Sequence, residues 1–150
     1  MRPCMVVAWI ALGLAPAAAA QPPSFVMAAC AGEATHVADV RLPHAVLADG
    51  KALPAGAYEV RATAQHPSAV PGADAQATCW VQFLQGGELK GRELATVVSE
   101  EDARAIAKGP VPARNAARVD QLKGGDYYRI WINADGTHYI INLPPVQTGP

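Results

Sequence analysis

The sequence predicts an all-β domain: an antiparallel sandwich or barrel of about seven or eight short strands, with one short helix near residues 99–108. Three observations carry this. From His36 onward, alternating apolar and polar runs are broken by turn signals about every 8 to 14 residues. The run Tyr127–Leu143 reads as two strands around Ala134-Asp135-Gly136. Helix signals gather in one place, where Ser99 precedes Glu100-Glu101-Asp102 and Gly109-Pro110 follows.

The elements follow in order. His36–Leu42 and His44–Leu47 are short strands split by Pro43, and Asp49-Gly50 marks a turn. Leu53-Pro54-Ala55-Gly56 turns into Ala57–Thr63, where Tyr58, Val60 and Ala62 share one face and Glu59, Arg61 and Thr63 the other. Residues 65–77 form a proline-bearing loop. Thr78–Leu84 and Glu88–Val98 are strands around Gly86-Gly87. A two-residue turn there sets Phe83 opposite Lys90 and mixes the faces, so a longer turn or a bulge at Gly91 is expected. Ser99 caps a helix to about Lys108, and 109–115 is a loop. In the last hairpin, a type I′ turn at Asp135-Gly136 pairs Ile132 with Tyr139, Ile130 with Ile141 and Tyr128 with Leu143, all on one face. The opposite face carries Trp131 beside Ile140, Arg129 beside Asn142 and Asn133 beside His138, which is read as solvent-facing.

The first twenty residues state an address. Arg2 precedes an apolar run from Met5 to Ala15. Small residues to Ala20 and then Gln21-Pro22-Pro23 follow. That is the order of a secretory signal peptide, too short in its apolar part to span a membrane. The resulting division is 1–20 signal peptide, 21–35 flexible leader, 36–143 a single domain and 144–150 a disordered tail. The mature chain is expected to be secreted or periplasmic, with no transmembrane segment. About 130 residues remain, enough for a real core. The formal charge is −1 before Arg2 is lost, which gives no pull toward nucleic acid. Charged residues make up 17% of the chain, below the roughly 25% usual in soluble domains.

Of three cysteines, Cys4 leaves with the signal peptide. Cys30 and Cys79 have three open fates. They bridge in an oxidising compartment and close a loop of about 50 residues. They remain two buried thiols. Or Met27-Ala28-Ala29-Cys30, which imitates a lipoprotein box, carries lipid at Cys30.

No motif holds a metal or cofactor: there is no CxxC, no HExxH and no close His pair. His36, Asp39 and His44 read as exposed strand and loop residues. No GxSxG is present; Ser24, Ser68 and Ser99 are the mature serines, and Ser99 is a helix cap. Glu100-Glu101-Asp102 imitates a glycosidase carboxylate pair, but acidic residues in a first helical turn answer the helix dipole. Gly86-Gly87 and Gly124-Gly125 precede no helix and are not phosphate loops. Lys90, Arg92 and Glu93 read as a solvated face. The most suggestive group is aromatic: Trp131, Arg129, Tyr127, Asn142 and His138 form a ligand platform if their face is open, and ordinary packing if a loop or the helix covers it. Trp80 carries the same two readings.

Leu53-Pro54-Ala55-Gly56-Ala57-Tyr58-Glu59-Val60 resembles the L-P-x-G-x-Y-x-V string of secreted bacterial β-sandwich modules of the prealbumin-like and collagen-adhesin B-repeat type. The resemblance implies an extracellular sandwich and no catalytic residues. Gly91–Val98 with Asp126–Asn133 is similar to small exported bacterial proteins, and implies no activity. Three function classes follow: a non-catalytic exported binding domain; a carbohydrate-binding or hydrolytic module on the Trp131 face; and an envelope or assembly subunit pairing through a strand edge. The sequence leaves the partner open, with a glycan or another envelope protein as the candidates and no nucleic acid. Export itself is checked by mass spectrometry of secreted material, which should find a mature N-terminus at Gln21; a lipid-modified start at Cys30 overturns both the cleavage site and the free mature chain.

Overall fold

The structure, a computed structural model, describes Cys30, residues 33–65 and residues 78–147. The segments read as a signal peptide and most of that read as a leader, with most of the loop after Gln65, lie outside these residues.

Period-two patterning dominates, and it yields nine strands and one helix in the described chain. They are β1 (Thr35–Leu42), β2 (Val46–Ala48), β3 (Lys51–Leu53), β4 (Gly56–Ala62), β5 (Thr78–Gln85), β6 (Glu88–Ser99), α1 (Glu100–Ile106), β7 (Ala116–Gln121), β8 (Tyr128–Ala134) and β9 (Thr137–Leu143). Seven strands form one antiparallel sheet in the order β1-β4-β5-β6-β9-β8-β7. The sheet curls until β1 approaches β7 and β8, nearly closing a barrel. β2 and β3 form a separate hairpin.

Alternate residues fill the barrel. Tyr58, Val60, Val81, Phe83, Ile130, Ile132, Ile141 and Leu143 are all essentially inaccessible, and Tyr58 meets Phe83 edge-on, ring centroids 6.3 Å apart. The last hairpin has the register its sequence predicts, with Ile130 opposite Ile141 and Asn133 opposite His138. Asp135 and Gly136 take φ of 52° and 88°, which matches the type I′ turn.

The β5–β6 hairpin keeps its two-residue turn, since Gln85 pairs with Glu88 and Leu84 with Leu89. Phe83 then pairs with Gly91, so the bulge falls on Lys90, one residue earlier than expected. This restores Phe83 and Val81 to the inner face. It also turns Glu93 inward at the barrel rim, a correction to the solvated-face reading. There Glu93 accepts the Asp49 amide at 2.8 Å, while Arg92 Nε donates to Asp49 at 3.1 Å. These contacts fix the β2–β3 turn, and Val46, Ala48 and Leu53 close that end of the barrel at zero exposure. Gly91 is what lets the hairpin in: a Cβ there would lie 3.0 Å from Leu53 Cδ2.

Three boundaries differ from expectation. Cys30 is buried and bonded to Cys79, Cα to Cα 6.2 Å, so the leader is anchored to β5 before β1 begins. A sulfur in a disulfide carries no lipid thioether, so the lipoprotein reading of Cys30 is set aside. The tail expected to be disordered from residue 144 instead pairs with the β2 region: Leu47 N donates to Pro144 O at 2.8 Å and Val146 N to Ala45 O at 3.1 Å. Backbone donors at an uncovered edge took partners that the proline content alone did not reveal. β7, finally, is a strand whose mixed sequence gives little alternation, and its pairing with β8 defines it.

The inner and outer faces of β8–β9 can be separated by mutation. Ile130→Ala should lower the unfolding free energy by about 2–5 kcal/mol. Asn142→Ala, exposed on the outer face, should cost less than about 0.5 kcal/mol. Equal midpoints in denaturant melts would show the face assignment to be wrong.

Candidate functional site

The outer face of β7–β8–β9 carries the chain's only buried histidine among the described residues, and it is built by the turn into α1. Ser99 ends β6 with extended backbone and accepts the Asp102 amide at 3.1 Å, which starts the helix where the sequence places it. The helix lies back across the sheet, seats Ala103 at zero exposure and ends at Ala107. The following chain crosses the same face, where Pro112 O accepts from Asn133 Nδ2 at 3.0 Å and Pro110 O from Arg118 Nη1 at 2.7 Å.

Beneath this cover runs a hydrogen-bonded chain. Trp131 Nε1 donates to His138 Nδ1 at 2.9 Å. An indole nitrogen can only donate, so Nδ1 must accept and the ring proton sits on Nε2. Nε2 then donates to Glu100 Oε2 at 2.7 Å. Glu100 also pairs through Oε1 with Arg104 at 2.7 Å. The His138 hydrogen bond, helped by Arg104, holds the Glu100 carboxyl below its ordinary range against the opposing effect of burial. Asn133 completes the group: its amide nitrogen also reaches Glu100 at 3.4 Å, and its oxygen accepts from Gly136 N at 2.9 Å.

The five platform residues therefore separate. Trp131 is 3% exposed and His138 fully buried, so the covered alternative describes them, and the solvent-facing reading of His138 is corrected. Its physical cause is the chain between β6 and β7 folding over the face. Tyr127 lies before β8, is exposed, and its carbonyl accepts Leu122 N at 2.9 Å. Asn142 is exposed away from the helix. Arg129 stays with Trp131, its guanidinium carbon 5.6 Å from the ring centroid.

Arg129 and Trp131 form part of a groove of about 760 Å³ between the end of α1 and the β7–β8 turn. Ile140 and Trp131 make its floor; Arg118, Arg129, Lys108 and Lys123 line it. Arg118 sits 5.8 Å from the same Trp131 ring and is held by Asp120 at 2.7 Å. Arg129 Nε is buried and has no hydrogen-bond partner among the described residues. Arg118, Lys108, Lys123 and Glu100 were not singled out by the sequence as binding or buried partners. The β7–β8 pairing brings Arg118 and Lys123 there, and the crossing of α1 and its loop brings Glu100 and Lys108.

The other candidates stay apart. His36 reaches Asp39 at 3.4 Å on the exposed part of β1, and His44 stacks on Tyr128 at 5.6 Å. No group of three potential metal ligands occurs among the described residues. Trp80 carries Arg92 over its ring at 4.3 Å. Ser24 and Ser68 lie outside the described residues.

The class defined is a nearly closed seven-stranded antiparallel barrel with a helix-covered second core on its outside. No family model matches the chain, and no curated protein or solved structure is significantly similar to it. The prealbumin-like resemblance thus rests on Leu53–Val60.

Two measurements probe the outer core. Trp131→Ala should cost about 3–5 kcal/mol, as a buried ring does, and a near-neutral result would mean the face is open. Because Glu100 has a lowered folded-state pKa, its ionic contribution is present above the ordinary carboxyl range, near 4.5, and is lost as pH falls below it. Wild type should therefore melt higher than Glu100→Gln at neutral pH, with the gap closing as pH drops through that range.

Proposed function

We propose that this chain is an exported, non-catalytic binding domain, secreted or periplasmic, whose ligand surface is the groove over Trp131 and Ile140. The observation that carries this reading is the convergence of Lys108, Arg118, Lys123 and Arg129 on one concave surface outside the barrel, with Asp120 the one acidic side chain in its lining.

Several contacts support binding over catalysis. Both His138 nitrogens are engaged, by Trp131 and by Glu100, which leaves that ring no free acceptor for a substrate proton. Ser99 is occupied as a helix cap and Cys79 is oxidised. Burial pushes the Tyr139 hydroxyl up to about 12, so it stays protonated at neutral pH. The barrel interior is filled by side chains rather than shaped around a ligand. The disulfide favours an oxidising compartment, and no helix among the described residues is long and apolar enough to cross a membrane. The sugar-platform alternative draws little support, because a ring can stack on Trp131 only if α1 and its loop move. Assembly through an edge would have to use β1 or β7, which face each other across the near-closure.

Trp80 and Trp131 are the only tryptophans left once the signal peptide is cleaved, so Trp80→Phe makes Trp131 the sole indole reporter. In that background, titration with a panel of neutral oligosaccharide, oligogalacturonate, tripolyphosphate and polyglutamate should give a saturable change in Trp131 emission for at least one compound. Gly109 lines the groove, and a Cβ there meets nothing within 4 Å. Gly109→Phe should therefore fold normally and block that response. No response from any compound, or a response unchanged by Gly109→Phe, overturns the assignment of the groove.

A further inference from the structure

Deepening that reading, and resting on it, we infer that the groove over Trp131 recognises an organic oligoanion: a ligand bearing carboxylate or phosphate groups on a partly apolar body.

The argument is local charge against a chain that has almost none to spare. The whole sequence holds 12 basic and 13 acidic residues. Four of the basic ones, Lys108, Arg118, Lys123 and Arg129, line this single groove, against one acidic residue, Asp120. Asp120 is already committed to Arg118, at 2.7 Å. Lys108 and Lys123 are exposed and have no ion-pair partner among the described residues. Arg129 lies opposite Asp120 across β7–β8, yet the carboxylate turns to Arg118 and leaves the Arg129 guanidinium without an ion pair among the described residues.

Two guanidinium groups thus converge on one indole, at 5.6 and 5.8 Å from its centroid. The ring's negative face partly offsets their repulsion, but it accepts no hydrogen bond in the plane of the fork. An oxyanion does: guanidinium donors match carboxylate and phosphate oxygens in pairs, and such charge-assisted bonds are about twice as strong as neutral ones. Lys108 and Lys123, contributed by the end of the helix and the β7–β8 turn, extend the demand beyond a single group. Ile106 adds the remaining feature. It lines the same groove and is 56% exposed, a large apolar side chain held in water beside four cations. It suits a ligand with carbon between its charges.

The test uses calorimetry on the folded mature chain, with oligogalacturonate as the carboxylate probe and tripolyphosphate as the phosphate probe. At least one should bind, with an affinity that falls as salt is raised. Arg129→Gln should weaken that binding on the order of tenfold or more. Since Arg129 is partly buried, the exposed pair Lys108→Gln/Lys123→Gln supplies a second reading that leaves the fold intact, and should also weaken binding several-fold and flatten the salt dependence. Lys51→Gln, on the β2–β3 hairpin at the barrel end, should change nothing. Preference for oligogalacturonate assigns the anion to a sugar acid, and preference for tripolyphosphate to a phosphate. Retention of full affinity in both groove variants overturns the inference. So does a neutral oligosaccharide that binds better than either anion and is blocked by Gly109→Phe; in that outcome the groove remains the ligand surface and only its anion chemistry fails. Absence of binding by either anion, with no response to any ligand, removes the groove itself.

Discussion

The register of β8 against β9 holds both cores of this molecule in place. Asp135 and Gly136 adopt the left-handed backbone that a two-residue hairpin turn needs, and every pair below the turn follows from it. One set of side chains, Ile130, Ile132, Tyr139 and Ile141, goes into the barrel. The other, Trp131, Asn133 and His138, goes out. A slip of β8 by one residue would put an indole and an amide into the barrel and two isoleucines under a polar helix. Neither face tolerates that exchange, so the turn and the two burial patterns reinforce one another.

The outer core has a different character from the inner one. The barrel is filled by apolar packing, where close interdigitation rather than directed bonds sets the fit. The outer face is held by a directed chain in which an indole donates to an imidazole and the imidazole to a carboxylate. Each member has one role open to it, because the indole nitrogen can only donate and the ionised carboxylate can only accept. A seven-residue helix has little stability of its own. The chain fixes its first turn over β9, and Ala103 fills the space beneath. Where α1 ends, the cover stops, and the groove begins at that boundary. Its cations come from three separate segments, the end of α1, β7 with the turn after it, and β8.

The closure of the barrel ends also bears on function. The β2–β3 hairpin seals one end, pinned by Glu93 and admitted by the absence of a side chain at Gly91. The disulfide ties Cys30 into the same core cluster. With a sequence separation of 49, the bridge removes much chain entropy from the unfolded state, which is compatible with an oxidising compartment. With the interior committed to packing, the surfaces left for recognition are outside, and the Arg129 groove is the one whose lining gathers four basic side chains against a single acidic one.

How much of this was legible follows from the range of each interaction. Most strand positions, the helix cap at Ser99, the Asp135-Gly136 register and the two-sided pattern of β8 and β9 are set by neighbours within a few residues and can be read in the sequence; β3 and β7, whose short or mixed runs alternate little, are fixed by their pairing. The alternatives for Cys30 and for Trp131 were also legible, but only as alternatives. Tertiary structure alone decided between them, since the partner that settles each lies far along the chain: Cys79 for Cys30, and α1 with its following loop for Trp131 and His138. The same distance hid Glu100, whose place in a first helical turn already had a sufficient local explanation in the helix dipole. It hid the groove most completely. Lys108, Arg118, Lys123 and Arg129 are unremarkable singly; the pairing of β7 with β8 gathers three of them beside Trp131, and the chain leaving β6 adds Lys108 as it folds back across the outside of the barrel.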